Sequence, residues 1–210
     1  MGAQRTGGFC LLMSSAYYDQ NGEAFFRDTV NADVSDLHER FLSHLRPGAS
    51  ILDAGCGSGR DALAFTRSGF EVTAFDASSE MVKLASLHTG LPVLHMSFEE
   101  AGWVEKFDGI WASASLLHVP RSLLPKTLTR LIRALRPGGV FFMSFKYGTE
   151  DRTRSGRLFT DMTEVLMEEL IASAGLIKLA IWTSDDVRPG RSHERWVSAI
   201  CQRIKPASSG

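Results

Sequence analysis

The chain is 210 residues long, enough for one sizeable hydrophobic core and short for two. Its apolar content of 44% is ordinary for a globular protein, and its net charge of −1 supplies no global basic field to recruit nucleic acid. Cys10, Cys56 and Cys201 are too few and too scattered for a disulfide framework or a zinc site, which points to a reduced, cytoplasmic setting, and no apolar run reaches the length of a membrane span.

In chain order, Phe9-Cys10-Leu11-Leu12-Met13 is too short and too weakly flanked for a secretory signal. Residues 1–13 read as a disordered start, and residues 14–48 as an N-terminal helical cap whose first part, 14–33, could serve as a lid. Val34, Leu37, Phe41 and Leu45 recur at helical spacing, and Pro47-Gly48 ends that helix. A first strand follows at 50–53. It runs into Gly55-Cys56-Gly57-Ser58-Gly59, whose alternate glycines can turn tightly and present bare N–H groups to a ligand. Residues 60–68 form a helix closed by Gly69, and 72–75 a second strand ending at Asp76. A helix over 80–87 closes at Gly90, and 93–96 is a third strand. A fourth begins at 109–112. The apolar stripe of Leu123, Leu124, Leu128, Leu131, Ile132 and Leu135 makes a helix stopped by Pro137-Gly138-Gly139. A buried-type strand spans 140–145, a helix 163–174, and two strands 176–182 and 195–204. The last two have no helix between them and should be antiparallel neighbours. The alternation predicts one α/β domain over 49–205. It is a doubly wound, seven-stranded, mostly parallel sheet with an antiparallel last strand, and its ligands should bind at the carboxyl ends of the strands.

The glycine loop narrows the ligand. The dinucleotide fingerprint G-x-G-x-x-G requires a third glycine where this chain has Arg60, and no Gly-Lys-Ser/Thr follows to make a Walker A loop. Asp76 lies about 20 residues past the glycines, the spacing of a carboxylate that grips ribose hydroxyls. The alternative reading is that Asp76 caps the next helix beside Ser78-Ser79.

Asp53-Ala54-Gly55-Cys56-Gly57-Ser58-Gly59 resembles motif I of the Rossmann-like S-adenosylmethionine-dependent methyltransferases. Phe75-Asp76-Ala77-Ser78-Ser79-Glu80-Met81 resembles their second motif. The segment from Phe107 to His118 resembles their fourth strand, and Leu135-Arg136-Pro137-Gly138-Gly139-Val140 the turn into their fifth. The resemblance covers about residues 35–204. It implies that S-adenosylmethionine is the cofactor, with Asp53 and the backbone of Gly55 and Gly57 at its methionine end, beside Cys56 as a small filler. It implies Asp76 on the ribose and Ala77 and Met81 flanking the adenine. Ser97, Phe98 and Glu99 would reach the adenine edge. Many relatives carry Asp where this chain has Ser97, which leaves open whether the Phe98 N–H or Glu99 meets the adenine amino group. Ser113 and Tyr18 would complete the cofactor site, Tyr17-Tyr18 preceding the first long helix and closing over it. His118, just after the fourth strand, is the candidate general base, the alternative being a group in the cleft wall.

The loops holding Lys146, Arg152, Arg154 and Arg157, and Arg188, Arg191, His193 and Arg195, should border the mouth, where arginines could hold an anionic acceptor. Ala114-Ser115-Leu116-Leu117 stands where base-amine methyltransferases carry Asn/Asp-Pro-Pro-aromatic, and no Pro-Cys pair occurs. A small-molecule acceptor is left. A tRNA wobble-type carboxylate is the alternative within the fold, and a non-catalytic cofactor-binding protein the alternative outside it.

Overall fold

The computed structural model describes residues 3–191 and 193–205, with side chains from Ser14 onward. The expected loose start over residues 1–13 falls on a stretch whose side chains lie outside the described residues. A long helix α1 (Ala3–Thr29) leads into α2 (Ser35–Leu42). Tyr17 and Tyr18 therefore lie within the first long helix rather than ahead of it. The helix expected from Val34 to Leu45 is shorter at both ends.

The sheet strands alternate with helices in the expected way: β1 (Ser50–Ala54), α3 (Arg60–Arg67), β2 (Glu71–Asp76), α4 (Ser79–Thr89), β3 (Leu94–His95), β4 (Phe107–Ala112), α5 (Leu124–Ala134) and β5 (Leu135–Lys146). A two-stranded hairpin, β6 (Asp151–Arg154) and β7 (Arg157–Thr160), then intervenes before α6 (Glu164–Ser173), β8 (Leu176–Asp185) and β9 (Arg195–Arg203). The hairpin stands where sequence reading saw only an arginine-bearing loop.

The main sheet has seven strands in the order β3-β2-β1-β4-β5-β9-β8. Only β9 runs antiparallel; it pairs with β5 on one side and β8 on the other. Successive residues of the central strands feed opposite faces, as the period of two requires. Leu52, Ile110, Phe141 and Met143 enter the core beneath α5 and α6. Ile51, Trp111, Val140 and Phe142 enter the core on the other face, with Phe41 of α2 and Phe65 of α3. There the Trp111 indole stacks on Phe142 at 3.9 Å between centroids and 13° between planes. Both faces are apolar because helices cover both, so the central strands read as continuous hydrophobic runs. The strand order reverses between β1 and β4, and the cleft of a doubly wound sheet opens at the carboxyl side of that switch.

Candidate active site

At the end of β1 the chain turns through Gly55 (φ 79°), Gly57 (φ 52°) and Gly59 (φ 76°), all left-handed. A Cβ on Gly55 would lie 2.6 Å from the Ser115 Cβ, so glycine is required there by contact as well as by conformation. The Ser115 hydroxyl donates to the Ala54 carbonyl at 2.7 Å and seats the segment after β4 under the loop. The Gly55 and Cys56 N–H groups both donate to the Phe75 carbonyl, at 3.0 and 2.9 Å. The loop is thus sewn to the end of β2.

Asp76 closes the other side. One carboxylate oxygen accepts from the Gly57 N–H and the other from the Ser78 N–H, each at 2.9 Å. Each oxygen keeps a further lone pair, so the pair of oxygens can still accept from a vicinal diol. Burial raises the Asp76 pKa, and the backbone N–H groups oppose that rise. Capping α4 falls to Ser78, whose hydroxyl oxygen accepts from the Met81 N–H. Ser78 in turn donates to Asp19 of α1 at 2.7 Å.

Asp53 lies beneath the loop, 2% exposed, and its Oδ2 has no hydrogen-bond partner among the described residues. Burial, then the negative charge of Asp61, pushes its carboxyl well above the usual carboxylate range. Asp61 itself is held well below that range despite burial, because the Arg60 guanidinium grips both its oxygens at 2.7 and 2.9 Å. His38 and the Trp111 indole N–H complete its partners at 2.9 and 2.8 Å. Arg60, the residue that spoils the dinucleotide fingerprint, therefore neutralises a buried acid of α3. The Cys56 thiol is pushed well up by burial and stays protonated, as suits a filler.

A cavity of about 1480 Å³ opens over this loop. Tyr18, Gly55, Cys56, Gly57, Asp76, Ala77, Met81, Ser97, Phe98, Glu99, Ser113 and His118 all border it. Of the residues expected around the cofactor, Asp53 is set back behind the wall and Tyr17 does not border the cavity. Ser97 spends its N–H and hydroxyl on Glu100, at 2.8 and 2.9 Å, in a capping box of a short 3-10 turn. The Ser97 hydroxyl hydrogen is consequently committed. The Phe98 ring stands edge-on to Phe75, 5.5 Å between centroids.

On the far side of the switch, His118 Nδ1 lies 2.6 Å from the Leu158 carbonyl, which can only accept. Nδ1 therefore carries the hydrogen, and Nε2 accepts from the Tyr18 hydroxyl at 2.8 Å. Burial lowers the His118 pKa to about 4, so the ring is neutral at physiological pH. Burial likewise raises the Tyr18 phenol, against the influence of the nearby Arg157. Arg157 lies over Tyr17, Tyr18 and Phe159, 4.1, 5.7 and 5.2 Å from their ring centroids.

Arg152, Arg154, Arg188, Arg191 and His193 border the mouth with Lys146, whereas Arg195 turns away over Tyr147. Lys146 is buried at the end of β5, where it pairs with Asp186 at 2.9 Å and with Glu194, and lies 3.9 Å over the Trp196 ring. Arg188 pairs with Asp186, and both Arg188 and Arg191 reach Asp28 of α1, at 3.4 and 2.9 Å. Sequence reading missed the partners Asp186, Glu194, Asp28 and Asp19, and the seat Ser115. These charges face their partners only across long sequence separations.

The cleft, its glycine loop and the acid at the end of the neighbouring strand define a nucleoside-binding α/β protein. A family model described as a methyltransferase domain matches residues 26–171. A ubiquinone biosynthesis O-methyltransferase of Xanthomonas campestris is 36% identical over 112 residues, 47% of this chain and 43% of that protein. The enzyme of the same name from Xanthomonas axonopodis is 37% identical over 121 residues, 50% of this chain and 47% of that protein. The aligned segments thus span under half of the curated relatives. Among solved structures, the 1,6-didemethyltoxoflavin-N1-methyltransferase of Burkholderia thailandensis, with bound 1,6-didemethyltoxoflavin and S-adenosylhomocysteine, superposes with a TM-score of 0.73 at 24% identity, covering 90% of this chain and 88% of that one. The cyclase SpnF superposes with a TM-score of 0.70 at 17% identity, covering 90% of this chain and 94% of that one. These two likenesses show the fold alone. The chain belongs to the methyltransferase domain family, the Rossmann-like S-adenosylmethionine-dependent methyltransferases.

Proposed function

We propose that the chain transfers a methyl group from S-adenosylmethionine to a small-molecule acceptor in the cytoplasm. The observation that carries this reading is the pairing of a diol-ready Asp76 with the glycine loop, in a cavity larger than one ligand needs. Ligand sites usually enclose about 300–1,000 Å³, so about 1480 Å³ holds a cofactor with room for an acceptor beside it. Asp53, with its orphaned Oδ2, stands directly behind the loop that would face the amino end of the same cofactor. The names of the relatives point to small acceptors. The two described cysteines, Cys56 and Cys201, are free, in keeping with a reducing compartment, and no helix among the described residues is long and apolar enough to cross a membrane.

S-adenosylmethionine supplies an electrophilic methyl on a sulfonium, a good leaving group for in-line displacement. The protein's tasks are then alignment and exclusion of water. The Gly55, Cys56, Gly57 and Gly59 N–H groups are spent on Phe75, Asp76 and Cys56 rather than left bare for a ligand, so Gly55 and Gly57 offer the methionine end close, side-chain-free backbone. Asp76 takes the ribose, Ala77, Met81, Phe98 and Glu99 surround the adenine with Ser97 at its margin, and Ser113 stands after β4 on the other side of the loop. Tyr18 on α1 and Phe25 wall the space above. The His118 Nε2 is engaged by Tyr18, so His118 acts through that phenol: it fixes the oxygen at the cleft wall and holds its hydrogen.

Incubation with methyl-labelled S-adenosylmethionine and a low-mass metabolite fraction, with bulk tRNA in a parallel arm, tests the proposal. Label should appear in a species of low mass. Label in tRNA alone would replace the small-molecule reading by the RNA one.

A further inference from the structure

Most arginines of the cleft are spent on carboxylates. Arg60 pairs with Asp61, Arg152 with Asp161, Arg188 with Asp186, and Arg191 with Asp28. Arg157 has no carboxylate partner among the described residues, and its Nε–H is buried without an acceptor. A cation in such a place is costly unless something compensates it, and the Tyr17, Tyr18 and Phe159 rings beneath it do so only in part. The guanidinium also hydrogen-bonds the Tyr18 hydroxyl, which leaves the Nε–H to meet an oxygen of an acid. The guanidinium borders the cleft beside Tyr18, His118 and Phe159. That is the β4–β5 side, across the switch from Asp76. Arg154, the hairpin partner of Arg157, also borders the cavity without a carboxylate partner among the described residues.

We propose that Arg157 anchors the acceptor, and that the acceptor is a planar aromatic acid whose anionic group meets the guanidinium edge while its ring lies among Tyr18 and Phe159. This deepens the methyl-transfer reading and rests on it for the word acceptor, but the anion subsite stands on its own geometry. A guanidinium holding an acid by a charge-assisted pair is a binding group here, and no proton passes through it.

The full-length protein should be titrated calorimetrically with benzoate, phenyl phosphate and uncharged benzamide, each with and without S-adenosylhomocysteine. Benzoate or phenyl phosphate should bind at least about 10-fold more tightly than benzamide, the scale of a charge-assisted hydrogen bond. Preference between the two anions identifies the acid. Arg157→Gln should lose that preference, and Arg157→Lys should keep part of it. S-adenosylhomocysteine affinity, read in parallel, should be the same in all three proteins and certifies that the variants are folded. Benzamide binding as tightly as the anions, or an anion preference untouched in a folded Arg157→Gln protein, would overturn the subsite. Failure of S-adenosylhomocysteine to bind the wild-type protein would count against the methyl-transfer reading instead, and the anion titrations would still decide the subsite.

Discussion

His118 shows how burial turns a titratable group into a structural one. Its Nδ1–H is spent on Leu158, its Nε2 on Tyr18, and its pKa falls from 6.5 to about 4. Between those values the unfolded chain binds a proton that the folded chain refuses. Stability from the neutral ring is therefore fully present above pH 6.5 and is lost as pH falls towards 4. Thermal melts of the wild type and His118→Asn across that window should show a shallower acid loss in the variant. At neutral pH the variant should be less stable by about 1–3 kcal/mol, because the Leu158 carbonyl and Tyr18 hydroxyl lose a buried partner. Parallel acid limbs would show that His118 is not held neutral by the fold. Arg60 makes the same point for charge: one residue past the last glycine of the loop, it exists in this cleft as the counterion of Asp61.

At the scale of elements, the turn from β1 into α3 is held by three left-handed glycines and by the segment after β4. Gly55→Ala puts a Cβ into Ser115 and forces a left-handed backbone on alanine. Strain of that kind costs of order 1–3 kcal/mol. The loop should give way before the sheet does, so S-adenosylhomocysteine binding should vanish while the circular dichroism spectrum persists. Retained binding at wild-type affinity would mean that the loop does not carry the cofactor. Helix α1 is tied across the cleft at several points: Asp19 to Ser78 of the α4 cap, Asp28 to Arg188 and Arg191, Tyr18 to His118, and Ser14 to the Leu158 N–H. These ties bring the N-terminal segment to both sides of the switch.

For the molecule as a whole, the alternation of strands and helices was legible because each central strand is apolar on both faces and most turns are marked by glycine or proline. Ile51-Leu52, Ile110-Trp111 and Val140-Phe141-Phe142 announce buried parallel strands without ambiguity of period. Residues 14–48 read as a helical cap, but the continuous helix α1 and its bounds were not legible, since residues 14–29 mix Ser, Tyr, Asn, Gly and Phe with no continuous apolar stripe, and tertiary contacts with α4 and β7 decide it. The β6–β7 hairpin was hidden for a different reason. Asp151 to Arg154 are all exposed, so no alternation betrays a strand. The available signal was Ser155-Gly156, both at positive φ, a turn of the kind that closes two-residue hairpins. The donor half of the site was readable because it is local: a loop and an acid on the next strand. The acceptor half was not, because it is assembled from α1, the β4 end and the hairpin, up to 144 residues apart.

The central claim is that Asp76 and the glycine loop hold S-adenosylmethionine. Calorimetric titration of the wild-type protein and of Asp76→Asn with S-adenosylhomocysteine tests it most directly. The account predicts one site per chain in the wild type and a loss of about 10–100-fold in affinity in the variant, since a charged acceptor of the ribose diol has been removed. Equal affinity in the two proteins would contradict it.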